Sequence, residues 1–239
     1  NETLEKAQIN KYNKLINLVK PKYGDKILEI GCGWGGFAEH VAKNYDVKLD
    51  CITISKKQLM FSKARIHRLG LNHKVNIRML DYRDVKKKYD SIISIEMIEA
   101  VGEKYLKKYF KTIKENLAPG GRGAIQAIII KDELYSRYRK KEDFIQKYIF
   151  PGGFLPSLQS ISKLSAQSGL KIDNYQLYGL HYYNTLQKWR KSFLDSWDVI
   201  SRQGFNKSFK NMWDFYFSYC EAGFKSKNID LVQFSFFNK

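Results

Sequence analysis

Gly31-Cys32-Gly33-Trp34-Gly35-Gly36 follows directly on the apolar run Ile27-Leu28-Glu29-Ile30 and leads into a helical pattern from Phe37 to Lys43. Glycine lets the backbone turn sharply and lie against a ligand with no Cβ between them, and the start of a helix offers N–H groups without partners. Glu29 narrows the choice of ligand. A carboxylate there repels a pyrophosphate but suits a ligand carrying ammonium and sulfonium charge, which favours S-adenosylmethionine over a dinucleotide. The plain alternative is a tight turn that binds nothing, so the other elements must bring further polar groups to the loop.

Periodicity supplies those elements. Glu2 to Val19 reads as a helix with Ile9, Tyr12, Ile16 and Val19 on one face, ended by Pro21 and Gly24. Strands are expected at Lys26–Ile30, Lys48–Thr53, Val75–Met79, Ser91–Ile95 and Arg122–Ile130, with helices at Lys56–Arg68 and Lys104–Leu117 among them. This alternation predicts an α/β fold: a doubly wound, mostly parallel sheet of the class I methyltransferase type. The rhythm then changes. Lys131 to Phe150 is charged and aromatic, and Pro151-Gly152-Gly153 and Pro156 break the chain. A helix near Ser157–Ser168, a sixth strand at Lys171–Leu177, helices over about Thr185–Arg202 and Asn206–Phe224, and a closing antiparallel strand at Val232–Phe236 follow. The chain is read as one domain with seven strands: an N-terminal helix (1–20), a cofactor-binding core (21–130), a substrate-binding insertion with its helices (131–225), and a closing strand (226–239).

In such a sheet, ligands sit at the carboxyl ends of the strands beside the switch in strand order. That rule gathers Glu29–Gly36, Thr53–Gln58, Asp81–Arg83 and Ile95–Glu99 around one crevice. A dinucleotide site needs an acid about 20 residues past its glycines; here Thr53-Ile54-Ser55 and Gln58 stand in that neighbourhood. Their polar groups can take hydroxyls or an amino acid moiety. Asp81 is placed to accept from an adenine amino group, with Tyr82 beside the ring and Arg83 next in the segment. The candidate cofactor residues are therefore Glu29, Gly31, Cys32, Gly33, Trp34, Gly35, Thr53, Ile54, Ser55, Gln58, Asp81, Tyr82, Arg83 and Ile95.

Composition sets outer limits. Of 239 residues, 44% are hydrophobic and 15% aromatic, enough to bury a core. Three cysteines, Cys32, Cys51 and Cys220, in a chain this long favour a reducing compartment, and the last two read as core thiols. No metal site is expected. No apolar run approaches the roughly 20 residues a membrane span needs. The net charge of +18 is dispersed over Lys86–Lys88, Lys104–Lys114, Arg137–Lys141, Lys188–Lys191 and Lys207–Lys210. Charge of this kind suits a phosphate-rich surface, whether nucleic acid or anionic headgroups, or simply reflects a lysine-rich composition on solvated faces.

The sequence resembles the cyclopropane-fatty-acid synthase family, which includes the mycolic acid cyclopropane synthases. The resemblance rests on Leu28 to Gly36, Ile52 to Gln58 and Asp81-Tyr82-Arg83-Asp84 in the first half. The second half adds Tyr148-Ile149-Phe150-Pro151-Gly152-Gly153, Leu155-Pro156-Ser157, His181-Tyr182-Tyr183-Asn184-Thr185-Leu186 and Tyr219 to Phe224. It implies S-adenosylmethionine-dependent methylation of a carbon–carbon double bond in an acyl chain, usually on an intact phospholipid. An alkene is nucleophilic without deprotonation, so no Ser-His-Asp set is required, and none is visible. Methyl transfer leaves a carbocation, for which Tyr182, Tyr183, Phe150, Tyr216 and Tyr219 are aromatic candidates; packing alone is the competing role for all but Tyr182.

The resemblance also implies a bound bicarbonate as the base. Glu99 matches its glutamate, Ile128 its backbone contact and Tyr182 its tyrosine. Two departures stand out. Ala100 and Gln126 occupy positions where the family usually has histidine. Glutamine can donate to an anion but carries no charge and does not titrate, so bicarbonate is expected to bind more weakly or differently, and the reaction could stop at a methyl or methylene product. A third departure concerns the family's Tyr-Ser-Cys segment, which lies upstream of the first helix; a protein beginning at Asn1 is expected to retain its cofactor weakly.

The leading reading is an acyl-lipid C-methyltransferase in the cytoplasm, docked peripherally on the inner face of an anionic membrane, with a homodimer as a candidate assembly. A small-molecule N-methyltransferase is the second reading; the Phe150–Gly153 and His181–Leu186 segments speak against it. A specific nucleic-acid partner is not expected, because Glu96-Met97-Ile98-Glu99 stands where base methyltransferases carry a polar-proline-aromatic motif and no recognition module is present.

Overall fold

Strand–helix alternation in the first half of the chain builds a parallel sheet in the computed structural model, which describes residues 2–238. Helix α1 (Leu4–Val19) opens with the Thr3 hydroxyl accepting from the Lys6 amide. Then come β1 (Lys26–Ile30), α2 (Gly36–Asn44), β2 (Lys48–Thr53), α3 (Lys56–Arg68), β3 (Val75–Met79), β4 (Tyr89–Ile95), α4 (Leu106–Asn116) and β5 (Leu117–Ile130). The second half holds α5 (Asp132–Tyr138), α6 (Leu158–Gln167), β6 (Leu170–Leu177), α7 (Gly179–Asp195), α8 (Trp197–Ser201), α9 (Lys207–Lys225) and β7 (Ile229–Asn238).

The sheet order is β3-β2-β1-β4-β5-β7-β6. The first five strands in that order run parallel, and β7 lies antiparallel between β5 and β6. The order reverses between β1 and β4, so the crevice for a ligand opens beyond their carboxyl ends. Side chains alternate across each strand. Leu28 and Ile92 join Tyr109, Phe110, Phe234 and Phe236 on one face, while Ile27 and Ile93 join Leu15, Ile16, Phe37 and Val41 on the other. A third cluster, with Leu186, Phe217, Phe224 and Leu231 at its centre, fastens α7 and α9 onto β7.

Several boundaries depart from the periodicity: β7 extends the expected Val232–Phe236 at both ends through its pairing with β5 and β6, and β4 begins at Tyr89, two residues before the expected Ser91. Helix α7 begins at Gly179, six residues ahead of the expected Thr185, because Asp230 Oδ1 on β7 accepts the Gly179 N–H at 2.7 Å. It ends at Asp195, and α8 is a separate short helix. Helix α4 starts at Leu106 after a 3-10 turn over Glu103–Tyr105. Strand β5 starts at Leu117, where Tyr89 pairs with Leu117 ahead of a bulge, and so includes Pro119-Gly120-Gly121. The 131–150 stretch contains α5 and a π-turn over Ile145–Ile149.

Candidate active site

The glycine loop is held against the ends of two other strands. The amides of Gly31 and Cys32 both donate to Ile52 O at 3.0 Å. Gly31 has φ +80°, and a Cβ there would lie 2.7 Å from Met97 Cγ, so the loops after β1 and β4 touch at this point. Gly33, at φ +52°, is different: a Cβ on it would meet nothing within 4 Å. That open backbone is the cradle a ligand would fill. Gly35, also left-handed, caps α2, whose first-turn amides have no intrahelical partners. Exposed Trp34 packs edge-on against Phe61, and Ile54 is 72% exposed, leaving apolar walls beside the loop.

Glu29 is 2% exposed, and its Oε2 has no hydrogen-bond partner. Burial pushes its pKa up to about 7 against the Cys51 thiol hydrogen bond and the Lys11 charge. An orphaned carboxyl oxygen beside the loop fits the ammonium-bearing, sulfonium-bearing donor inferred from sequence. The Cys32 thiol, by contrast, is pushed up to about 12 by burial and by Glu29, which makes it a packing group.

The other expected cofactor groups are partly occupied by one another. Thr53 donates to Gln58 Oε1 at 2.7 Å, and Ser55 caps α3 by accepting the Gln58 amide at 3.3 Å. Asp81, expected to face an adenine amine, holds Arg83 instead: Oδ1 accepts from the Arg83 amide and Nε at 2.9 Å, and Oδ2 from Nη2 at 2.7 Å. The guanidinium lies only two residues on, so the fork closes locally. A carboxylate has about four acceptor sites, so the pair leaves Asp81 capacity for a further donor. Tyr82 stands edge-on to buried Tyr109, and Ile95 packs half-buried against the face lined by α1 and α2.

Deeper in the crevice lies a polar cluster at the ends of β4 and β5. Glu99 Oε1 accepts the Ile128 amide at 2.5 Å, while Oε2 is buried without a partner. Gln126, fully buried, donates from Nε2 to Glu96 Oε1 at 2.5 Å and accepts from Gln233 Nε2 at 2.8 Å. Tyr182 on α7 donates to Glu96 Oε2 at 2.6 Å. The family resemblance joined Glu99, Ile128, Gln126 and Tyr182 around an added anion but gave no role to Glu96, on which Gln126 and Tyr182 converge. One signal was present: a second glutamate three residues before Glu99, at the end of a strand.

Burial and the neighbouring Glu96 charge push the Glu99 pKa up to about 8. The folded protein therefore holds this proton more tightly than the unfolded chain, whose ordinary value is near 4.5. Such a group contributes stability in full below the unfolded value, and the contribution is lost as pH rises through the folded value. Glu29 acts in the same direction with a lower endpoint. Melting temperature is expected to fall between about pH 5 and pH 9, with Glu99→Gln removing about 4–8 °C of that fall. Parallel melting curves for the two proteins would show it; coincident slopes would refute the buried, proton-holding role of Glu99.

The aromatic candidates divide in two. Tyr182 stacks 4.9 Å from Phe224, and Phe150 meets Tyr216 at 6.1 Å. Tyr219 is part of an outward-facing group with Phe144 and Phe215, and Tyr183 packs in the cluster between α7 and α9.

Comparison with known proteins agrees with this architecture. The family model described as mycolic acid cyclopropane synthetase matches residues 1–234. The chain is 38% identical over 97% of its length to tuberculostearic acid methyltransferase UfaA1 of Mycobacterium tuberculosis, covering 54% of that protein. It is 34% identical over 98% of its length to cyclopropane-fatty-acyl-phospholipid synthase of Escherichia coli, covering 59% of it. The chain thus spans somewhat over half the length of these curated relatives. The solved structure of cyclopropane synthase MmaA2 from Mycobacterium tuberculosis superposes with a TM-score of 0.90 at 24% identity, covering 99% of this chain and 86% of that one. With a match running to residue 234 of 239 and a glycine loop shaped for a charged methyl donor, the chain belongs to the mycolic acid cyclopropane synthetase family of S-adenosylmethionine-dependent methyltransferases.

Proposed function

We propose that the protein transfers a one-carbon unit from S-adenosylmethionine to the double bond of an unsaturated phospholipid acyl chain and closes it into a cyclopropane ring. The observation that carries this reading is the polar cluster of Glu96, Glu99, Gln126 and Tyr182, set between the glycine loop and the aromatic helices with no activated nucleophile in it. The donor, when bound, supplies an electrophilic methyl group. The chain's own residues do the rest. The loop Gly31–Gly36 and Glu29 hold the donor's polar and charged parts, and the faces of Tyr182, Phe150 and Tyr216 offer a surface for the carbocation. The related proteins support the acceptor class, one named for phospholipid cyclopropanation and the other for tuberculostearic acid.

Docking at an anionic membrane belongs to the same proposal. Exposed Tyr148 lies on the stretch that carries Lys140, Lys141 and Lys147, and Phe144 joins it to exposed Phe215 and Tyr219 on α9, a mixture suited to the headgroup layer. No helix among the described residues is long and apolar enough to cross a membrane. Expression of the full-length protein in a host rich in monounsaturated phospholipid is expected to yield fatty acids heavier by one CH2. Fragmentation in the mass spectrometer should locate a ring; a methyl or methylene branch would correct the product, and unaltered lipids with an active, donor-binding protein would overturn the acceptor.

A further inference from the structure

The reaction leaves a cation that must lose a proton, and the acid best placed to receive it is Glu96. This residue directly follows β4 at the switch in strand order, and its neighbour Met97 touches the glycine loop. On its other side its carboxylate meets α7 through Tyr182. It therefore lies between the donor crevice and the aromatic cluster. Its backbone is left-handed at φ +51°, one of three non-glycine residues so placed among those described. A non-glycine residue at such an angle persists only where the surroundings over-determine it.

The surroundings do so. Gln126 Nε2 donates to one carboxylate oxygen and Tyr182 to the other, and Gln233 fixes the Gln126 amide by donating to its Oε1. The Glu96 amide itself donates to Gln126 O at 2.9 Å. Half-buried Lys11 on α1 adds positive charge facing Glu96 and Glu29. Glu99 lies alongside, its Oε1 taken by the Ile128 amide and its own proton held by burial.

The resemblance called for an added bicarbonate held by Glu99, the Ile128 amide, Tyr182 and the side chain at position 126. Here Gln126 and Tyr182 spend their donors on Glu96, and Glu99 and Ile128 bond each other. A carboxylate presents the same O–C–O edge and single negative charge as bicarbonate. We propose that Glu96 is the general base of the reaction, a covalently attached carboxylate standing where a freely bound bicarbonate would otherwise be needed. This also accounts for glutamine at position 126: a neutral donor suffices for an anion already tied to the chain.

The step balances. The alkene's π electrons form the new carbon–carbon bond as the carbon–sulfur bond breaks, its electrons remaining on sulfur. Glu96 then takes a proton from the transferred methyl group, and the freed C–H pair closes the ring onto the cationic carbon. The proton leaves Glu96 for solvent. Removal from the adjacent chain carbon instead would leave a methyl-branched alkene, so the aim of Glu96 sets the product.

The inference rests on the acyl-lipid reading above, and its tests separate the two. In buffer stripped of carbon dioxide, the wild-type full-length protein is expected to keep its rate within about twofold on adding bicarbonate. Glu96→Gln is expected to lose about 10²-fold or more in rate while binding S-adenosylhomocysteine normally by calorimetry. Glu96→Gly is expected to recover part of the rate with bicarbonate or formate and to broaden the 13C resonance of labelled bicarbonate, which the wild type leaves sharp. A wild type that needs bicarbonate, a Glu96→Gln variant within threefold of wild type, or a Glu96→Gly variant that neither binds nor responds to small carboxylates would each overturn the proposal. Failure of the wild type on every lipid would instead remove the acyl-lipid reading; the bicarbonate-binding comparison needs no lipid.

Discussion

Gly31→Val is expected to be the most damaging single change in the cofactor crevice, destabilising the protein by about 3–5 kcal/mol and lowering its melting temperature by roughly 10 °C. Two independent effects add. A β-branched residue at φ +80° is strained whatever space surrounds it, and its Cβ would lie 2.7 Å from Met97 Cγ. Met97 cannot simply withdraw, since it begins the turn that carries Ile98 into the core and Glu99 to the Ile128 amide. Displacing it moves the loop after β1 away from the loop after β4, which is the crevice itself. Affinity for S-adenosylhomocysteine should fall by at least about tenfold. Thermal denaturation and calorimetry measure the two effects. A variant melting within two or three degrees of the parent and binding normally would mean that the close approach of the two loops is not required.

Tyr182→Phe is expected to lower kcat by about 10²-fold with little change in KM for the lipid or in donor affinity. The phenol donates to Glu96 Oε2, and burial together with the Glu96 charge raises its pKa well above the usual tyrosine range. It thus stays a neutral donor throughout the working pH range. Phenylalanine keeps the ring that packs 4.9 Å from Phe224 but frees one carboxylate oxygen to swing. A positioning residue lost in this way affects the step after methyl transfer more than the binding of either substrate. A purely structural tyrosine would instead alter KM, or melting temperature, as much as kcat; steady-state kinetics with defined vesicles distinguish these outcomes.

Much of the fold was legible because it is written in short-range periodicity. The strands Lys26–Ile30, Lys48–Thr53 and Val75–Met79 are apolar runs bounded by turns, and their limits in the structure match the periodicity residue for residue. The glycine loop was equally legible, since Gly31 and Gly35 are dictated by backbone angles that other residues avoid. Less could be read after Ile130. The early start of α7 depends on Asp230, 51 residues away along the chain, and the π-turn at Ile145–Ile149 has no periodic signature of its own.

The candidate site shows the same division. Residue types alone determined a glycine cradle and an acid on the strand before it, and the family resemblance, not the residue types, joined Glu99, Gln126, Ile128 and Tyr182 as a group. Only the tertiary structure decided what each faces. Asp81 turned to its near neighbour Arg83, and Gln126 and Tyr182 turned to Glu96. The physical reason lies in distance and direction. Gln126 and Tyr182 stand 30 and 86 residues from Glu96 in sequence, so their meeting requires the strand order to be set and α7 to be docked by the β7 contact. The sense of each hydrogen bond then follows from which partner can still donate. Sequence determined which polar groups this protein carries near its glycine loop; the packed sheet decided that Gln126 and Tyr182 meet at Glu96.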